Sequence, residues 1–110
     1  MDRTIKPHDL NEQLARTTNI TLLDVRRKAD YDAAKDALPG ALWRDPDKVA
    51  EWGSALPKDG NVVVYCVRGG SVSKAVIDEL LKKNVPARFI EGGIEAWKAD
   101  GNKTETTSDR

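Results

Sequence analysis

Apolar and polar positions along the chain switch between the spacing of a helix and that of a strand. Leu10, Leu14 and Ala15 recur on one helical face, and Pro7 suits a first helical turn, so a helix is predicted from Pro7 through Leu14. Ile20-Thr21-Leu22-Leu23 predicts a buried strand. Residues 27–35 are charged and alanine-rich around Tyr31, the pattern of a short surface helix that stops before Leu38-Pro39-Gly40. Asp45-Pro46 sets a capping residue before a proline at the first helical position and opens a helix through Val49 and Trp52. The turn residues Leu56-Pro57-Lys58-Asp59-Gly60 lead into a strand over 61–65. Residues 71–83 follow as an amphipathic helix with Ala75, Val76, Leu80 and Leu81 inward, and Arg88-Phe89-Ile90 is the next strand. A last helix starts after Gly92-Gly93 and carries Ile94 and Trp97. Beyond Gly101 no residue is apolar, so the expected domain is 1–101 with a frayed tail over 102–110.

Strands that alternate with helices, around an unbroken apolar run at Val62-Val63-Val64-Tyr65, predict an α/β fold whose central, mostly parallel sheet is flanked by helices on both faces. A chain of 110 residues suffices for one core and not for two. Lysine and arginine number 18, as do aspartate and glutamate, so no overall field draws the protein to nucleic acid or an anionic membrane, and neither is an expected partner. The longest apolar stretches are strand-sized, far short of the ~20 residues of a membrane span. Met1-Asp2-Arg3-Thr4 leads into no apolar signal segment, and a cytoplasmic location is the expectation. The single cysteine, Cys66, forms no disulfide within the chain and has no zinc-spaced neighbours, so no metal is expected. Either a reactive thiol or an inert core residue remains.

Cys66 follows the apolar strand directly and precedes a helix, which places it at the carboxyl edge of a parallel sheet, where open α/β sheets bind ligands. A thiol attacks only when ionised, and a free cysteine of pKa ~8.5 is a few per cent thiolate at neutral pH. Gly69 and Gly70 are expected to take backbone angles closed to other residues and so to let successive N–H groups turn toward the sulfur. Those donors and the helix terminus would favour the thiolate, and Arg68 adds a cation for an anionic substrate. Against this stands the frequency with which a free cysteine at a strand end is only a small buried hydrophobe.

Four motifs in order are similar to the rhodanese family from about Ile5 to Gly101. Leu22-Leu23-Asp24-Val25-Arg26 with Asp30-Tyr31 resembles its apolar strand ending in Asp-x-Arg. Leu38-Pro39-Gly40-Ala41 resembles its Pro-Gly-Ala turn, residues 63–71 its active-site strand and loop, and Glu91-Gly92-Gly93-Ile94-Glu95-Ala96-Trp97 its closing Gly-Gly-x-x-x-Trp motif. The resemblance implies a rhodanese-like fold and a sulfurtransferase in which Cys66 carries sulfane sulfur as a covalent persulfide, with no separate cofactor. The site would be Cys66 with Val67, Arg68, Gly69, Gly70 and Ser71 as substrate-binding residues. Its loop has the six-residue length of the sulfur-transferring members. Related phosphatases and arsenate reductases use a longer Cys-x5-Arg loop, and Val72 stands at that arginine position. Arg68 lies where thiosulfate-using relatives often carry a basic residue, so thiosulfate is the expected donor, with cyanide or a thiol as acceptor.

The chain departs from the family in its turn before Pro39, which reads Lys35-Asp36-Ala37-Leu38, lacks the usual histidine and is about two residues longer. Asp24 and Arg26 either support the site or, as Asp–Arg pairs at strand ends more often do, fix the fold. Ser71 either bonds the outer sulfur or caps its helix. Trp97, Trp43 and Trp52 are read as packing residues and His8 as a surface residue. Partners would be a small-molecule sulfur donor and acceptor, or a protein thiol acceptor, around a monomer or homodimer. The rival readings are a persulfide carrier without turnover and an inactive rhodanese-like interaction or regulatory module.

Overall fold

The computed structural model describes residues 3–16, 19–58, 61–68 and 70–106. Among these, the strands β1 (Thr4–Ile5), β2 (Thr21–Asp24), β4 (Leu42–Trp43), β5 (Val62–Tyr65) and β6 (Ala87–Ile90) form one sheet in the order β1-β6-β5-β2-β4. Every pairing within it is parallel. The apolar run therefore occupies the centre, and Val62, Val63, Val64 and Tyr65 are each fully buried. A parallel central strand needs cover on both faces, and the period of two along β5 distributes it. Val62 and Val64 pack with Val76, Ile77 and Leu80 of α4 (Ser71–Lys82) and with Val49 of α3 (Val49–Trp52). Val63 and Tyr65 pack on the other side with Leu10 of α1 (Pro7–Arg16) and with Ile94 and Trp97 of α5 (Gly93–Ala99). Each such side chain contributes roughly 1.5–3 kcal/mol on burial, as an upper bound.

Several boundaries differ from expectation for identifiable reasons. α4 buries Ser73, Val76, Ile77 and Leu80, an i, i+3, i+4, i+7 stripe, whereas Ala75 is exposed and Leu81 only half-buried. Taking Ala75 as inward set the predicted face one residue off, because the stripe runs through a serine. The helix predicted from Asp45-Pro46 begins as a 3-10 turn over Pro46–Lys48, with the Asp45 carboxylate accepting from the Asp47 N–H, and becomes α-helical only at Val49. The surface helix is α2 (Lys28–Ala34), closed by Lys35 in the left-handed conformation at φ 62°.

The extra residues before Pro39 form β3 (Asp36–Ala37), which pairs antiparallel with β7 (Glu105–Thr106). The expected frayed tail is thus corrected over 102–106. The Trp97 indole donates to the Lys103 carbonyl, and the Gly40 N–H donates to the Glu105 carboxylate. Polar residues suffice there because β7 is held by hydrogen bonds, not by an apolar face. Residues 107–110 lie outside the described residues.

One contact ties the helical layer to the end of the central strand. Gly92 and Gly93 both have positive φ, 79° and 63°, and turn the chain after β6 so that α5 starts directly beneath the residues following β5. The Ile94 N–H donates to the Cys66 carbonyl at 3.0 Å, and the Glu95 N–H to the Val67 carbonyl at 3.1 Å. A β-carbon on Gly93 would stand 2.5 Å from the Cys66 oxygen. Gly93→Ala should therefore lose about 1–3 kcal/mol for its φ and about as much again for displaced backbone. Urea unfolding measures this, and a loss under about 1 kcal/mol would show that the loop yields instead.

Candidate active site

β5 ends at Tyr65 and α4 begins at Ser71, so Cys66 sits at the carboxyl edge of the sheet in the loop between them. It is 5 % exposed, yet it forms part of the wall of an open concavity of about 430 Å³. Val67, Arg68, Gly70, Ser71 and Val72 line the same space from the loop and the first turn of α4, Arg26 and Arg27 line it from the connection between β2 and α2, and Asp30 from the first turn of α2. Of the expected site residues, the structure gathers Cys66, Val67, Arg68, Gly70, Ser71 and Arg26 about one space; Gly69 lies outside the described residues. The sequence reading missed Arg27 as a wall residue, although its place directly after the Asp-x-Arg strand end was a usable signal.

For the described residues two expectations about the loop are corrected, while the backbone angles expected of Gly69 lie outside them. Among the described residues no N–H donates to the Cys66 sulfur. Gly70 has φ −92° and open space around its β-position, so its conformation does not demand glycine. Ser71 is also not the helix cap: Gly70 holds that position and no side chain caps α4. The amides of the first turn of this 12-residue helix thus lack intrahelical acceptors, at a terminus that carries partial positive charge beside the concavity. The exposed Arg68 adds a full charge on the same wall.

Beneath the concavity lies a buried ion pair. Asp24 and Arg26 are each 1 % exposed, and the Arg26 guanidinium donates to the Asp24 carboxylate from Nε at 3.0 Å and from Nη2 at 2.6 Å. Nη2 also donates to the Asp36 carbonyl at 2.7 Å, and the Tyr65 hydroxyl donates to Asp24 at 3.1 Å while accepting from the Leu38 N–H at 3.2 Å. The Arg26 carbonyl accepts from the Trp43 indole, and Trp43 in turn stacks on Tyr31, with ring centres 5.4 Å apart. Burial works against the charge of Arg26, but hydrogen bonding and attraction to Asp24 prevail and raise its pKa. Burial, then the adjacent Asp24 charge, raises that of Tyr65 well above the ordinary tyrosine range. Asp24 is absent from the concavity wall; Arg26, which lines it, donates from Nε and Nη2 to partners in the fold, while its Nη1 has no hydrogen bond among the described residues, so the pair cross-links the fold and Arg26 also borders the site.

The remaining tryptophans pack and His8 lies on the surface. Trp97 is buried in the core, and the half-buried Trp52 donates to the Asp45 carbonyl. His8 is exposed and pairs with Glu12 one turn along α1.

Residues 6–100 match the family model of the rhodanese-like domain. The chain belongs to the rhodanese-like domain family. Its relatives include a sulfurtransferase of Allochromatium vinosum, 31 % identical over 102 residues that make up 92 % of each chain. The thiosulfate sulfurtransferase GlpE of Coxiella burnetii is 30 % identical across 83 % of this chain and 88 % of its own. Among solved structures, the rhodanese-like domain of the Anabaena sp. protein Alr3790 superposes with a TM-score of 0.80 at 27 % identity, over 99 % of this chain and 83 % of that one. This rhodanese-like chain thus falls in a family of sulfurtransferases, and its mostly parallel five-stranded sheet is the family fold.

The buried network yields two expected outcomes. Asp24→Asn leaves Arg26 only the more distant Asp36 carboxylate, 3.8 Å from Nη1, and should cost up to about 3–5 kcal/mol in urea unfolding; a loss within about 1 kcal/mol would show that Asp36 suffices to neutralise Arg26. Tyr65→Phe strands the buried Leu38 N–H and should cost about 1–3 kcal/mol at neutral pH. Because the folded state holds the Tyr65 proton more tightly than the unfolded chain, with its ordinary value of 10, this contribution is complete below pH 10 and declines as pH rises beyond it. Wild type should therefore lose stability faster than Tyr65→Phe over the pH unit above 10, by up to ~1.4 kcal/mol. Parallel curves would mean that the hydroxyl ionises freely.

Proposed function

We propose that this rhodanese-like domain moves sulfane sulfur from thiosulfate to a thiophilic acceptor through a persulfide on Cys66. The observation that carries the reading is the cysteine's position in the wall of a concavity that also presents Arg27, Arg68 and an uncapped helix terminus. The Cys66 thiolate attacks the outer sulfur of thiosulfate. A sulfur–sulfur bond forms to Cys66, the bond to the sulfonate sulfur breaks, and its electron pair leaves with sulfite. Cyanide or a thiolate then attacks the outer sulfur of the persulfide, and the electron pair of the broken bond returns to Cys66. With anionic reactants neither step moves a proton, which suits a concavity whose wall includes no histidine; the one histidine, His8, lies on α1. A cation within about 4 Å of a unit negative charge contributes roughly 1–4 kcal/mol between bulk-water and protein-surface screening, so the arginines account for donor capture without a metal.

Val72 bears on the competing oxyanion chemistry. It lines the concavity half-buried where an arginine would be needed to grip a tetrahedral phosphate or arsenate, and an apolar side chain supplies no such donor. The acceptor is proposed to be a small thiophile or a protein thiol. Sustained thiocyanate formation from thiosulfate and cyanide separates a turning-over enzyme from a carrier, which would show loading and negligible turnover.

Incubation with thiosulfate followed by intact-mass measurement should show the added mass of one sulfur atom on the wild-type chain and none on Cys66→Ser. Absence of the added sulfur from the wild type would remove the proposal. Arg68→Ala should raise the KM for thiosulfate about tenfold with little change in unfolding midpoint, the loss of one charge-assisted contact. An unchanged KM would take Arg68 out of donor binding.

A further inference from the structure

Arg26, Arg27 and Lys28 are consecutive cations at the start of α2, and the fold treats them differently. Arg26 is buried and bound to Asp24 and the Asp36 carbonyl. Lys28 is exposed and pairs with Asp32 one turn along the helix at 3.1 Å. Arg27, between them, is exposed in the wall of the Cys66 concavity, and among the described residues its side chain has no ion pair or hydrogen bond. The same holds for Arg68 across the neighbouring loop. Asp30 is the only carboxylate among the described wall residues.

The backbone around Arg27 is fixed on both sides. The Trp43 indole donates to the carbonyl of Arg26 at 2.9 Å, and the Tyr31 N–H donates to that of Arg27 at 2.9 Å. The side chain therefore springs from a held position at the edge of the space, one strand over from the cysteine loop. Besides the buried, paired Arg26, two exposed arginines from separate loops line one space with the cysteine. A doubly charged donor meets both at once; a singly charged one satisfies at most one of them fully.

We infer that Arg27 is a second donor-binding residue, which with Arg68 makes the site selective for dianionic over monoanionic sulfur donors. This rests on the sulfur-transfer function proposed above. Coulomb attraction scales with ligand charge, so removing Arg27 should weaken a dianion by about the square of the factor for a monoanion. The loss of one charge-assisted contact corresponds to a rise of about tenfold in the KM for thiosulfate, against about threefold for the monoanion methanethiosulfonate.

The test compares both donors on wild type, Arg27→Gln, Arg27→Lys and, as a control for lost overall charge, Arg3→Gln, whose side chain pairs with Asp78 instead of lining the concavity. Unfolding midpoints confirm that each variant folds. Expected are the tenfold and threefold rises for Arg27→Gln, partial recovery in Arg27→Lys and near wild-type values for Arg3→Gln. An unchanged thiosulfate KM, equal losses for the two donors, or an equal effect of Arg3→Gln would overturn the role of Arg27 while leaving sulfur transfer intact. If neither donor adds sulfur to the wild-type chain by intact mass, both the transfer reading and this one fall together.

Discussion

A charged pair sealed from water governs the architecture around the site. A buried guanidinium is tolerable only when a carboxylate and further acceptors surround it, and removing any partner strands a charge. Meeting that demand draws in residues from four strands. β2 supplies Asp24 and runs into Arg26, β5 supplies the Tyr65 hydroxyl, β3 supplies the Asp36 carbonyl, and Trp43 of β4 clamps the Arg26 carbonyl. The last residue of β5 is thereby set against the last residue of β2, with Asp24 and Tyr65 in register. Cys66 is the next residue along, so the position of the sulfur is inherited from the ion pair through a single peptide unit.

The second support comes from below. Residues after a strand leave their carbonyls without ladder partners, and a buried carbonyl without a donor costs free energy. The first amides of α5 meet this need at Cys66 and Val67, which is possible only because Gly93 brings its backbone close at positive φ. The cysteine's main chain is thus held on its carbonyl side while its side chain borders open space. In the proposed sulfur transfer, a nucleophile approached in line by a donor and later by an acceptor would benefit from such a rigid base.

Much of this was legible in the chain because it rests on short-range rules. The run Val62 to Tyr65 reads as a covered parallel strand from composition alone, Gly92-Gly93 reads as a turn into a helix, and the Asp24–Arg26 spacing suggests a strand-end salt bridge. Features set by distant pairing were not legible. β1 and β4 are two residues each and exist because β6 and β2 offer them edges, and β3 and β7 find one another across nearly seventy residues. A polar stretch such as 102–106 carries no periodic signal for an element held by main-chain and indole hydrogen bonds. Arg27 was hidden for a different reason: sequence shows three adjacent cations, and only the fold reveals which of them retains an unengaged charge.

A chain of zero formal net charge can still present a local cationic site. Some cations away from the site are matched by acids at short range, Arg3 by Asp78, Lys28 by Asp32, Lys82 by Glu79 and Lys98 by Asp36, whereas others, Lys6, Lys48 and Lys74 among them, have no ion pair among the described residues. Each exposed pair adds little stability, at most about 1 kcal/mol. Their collective effect is electrostatic, since paired charges cancel beyond roughly a Debye length of ~8–10 Å. Arg27 and Arg68 have no ion pair among the described residues and line, with the first turn of α4, the concavity that Cys66 borders. What sets these two cations apart is their place: they share one concavity with the proposed nucleophile, and positive charge gathered there attracts a small anion to it.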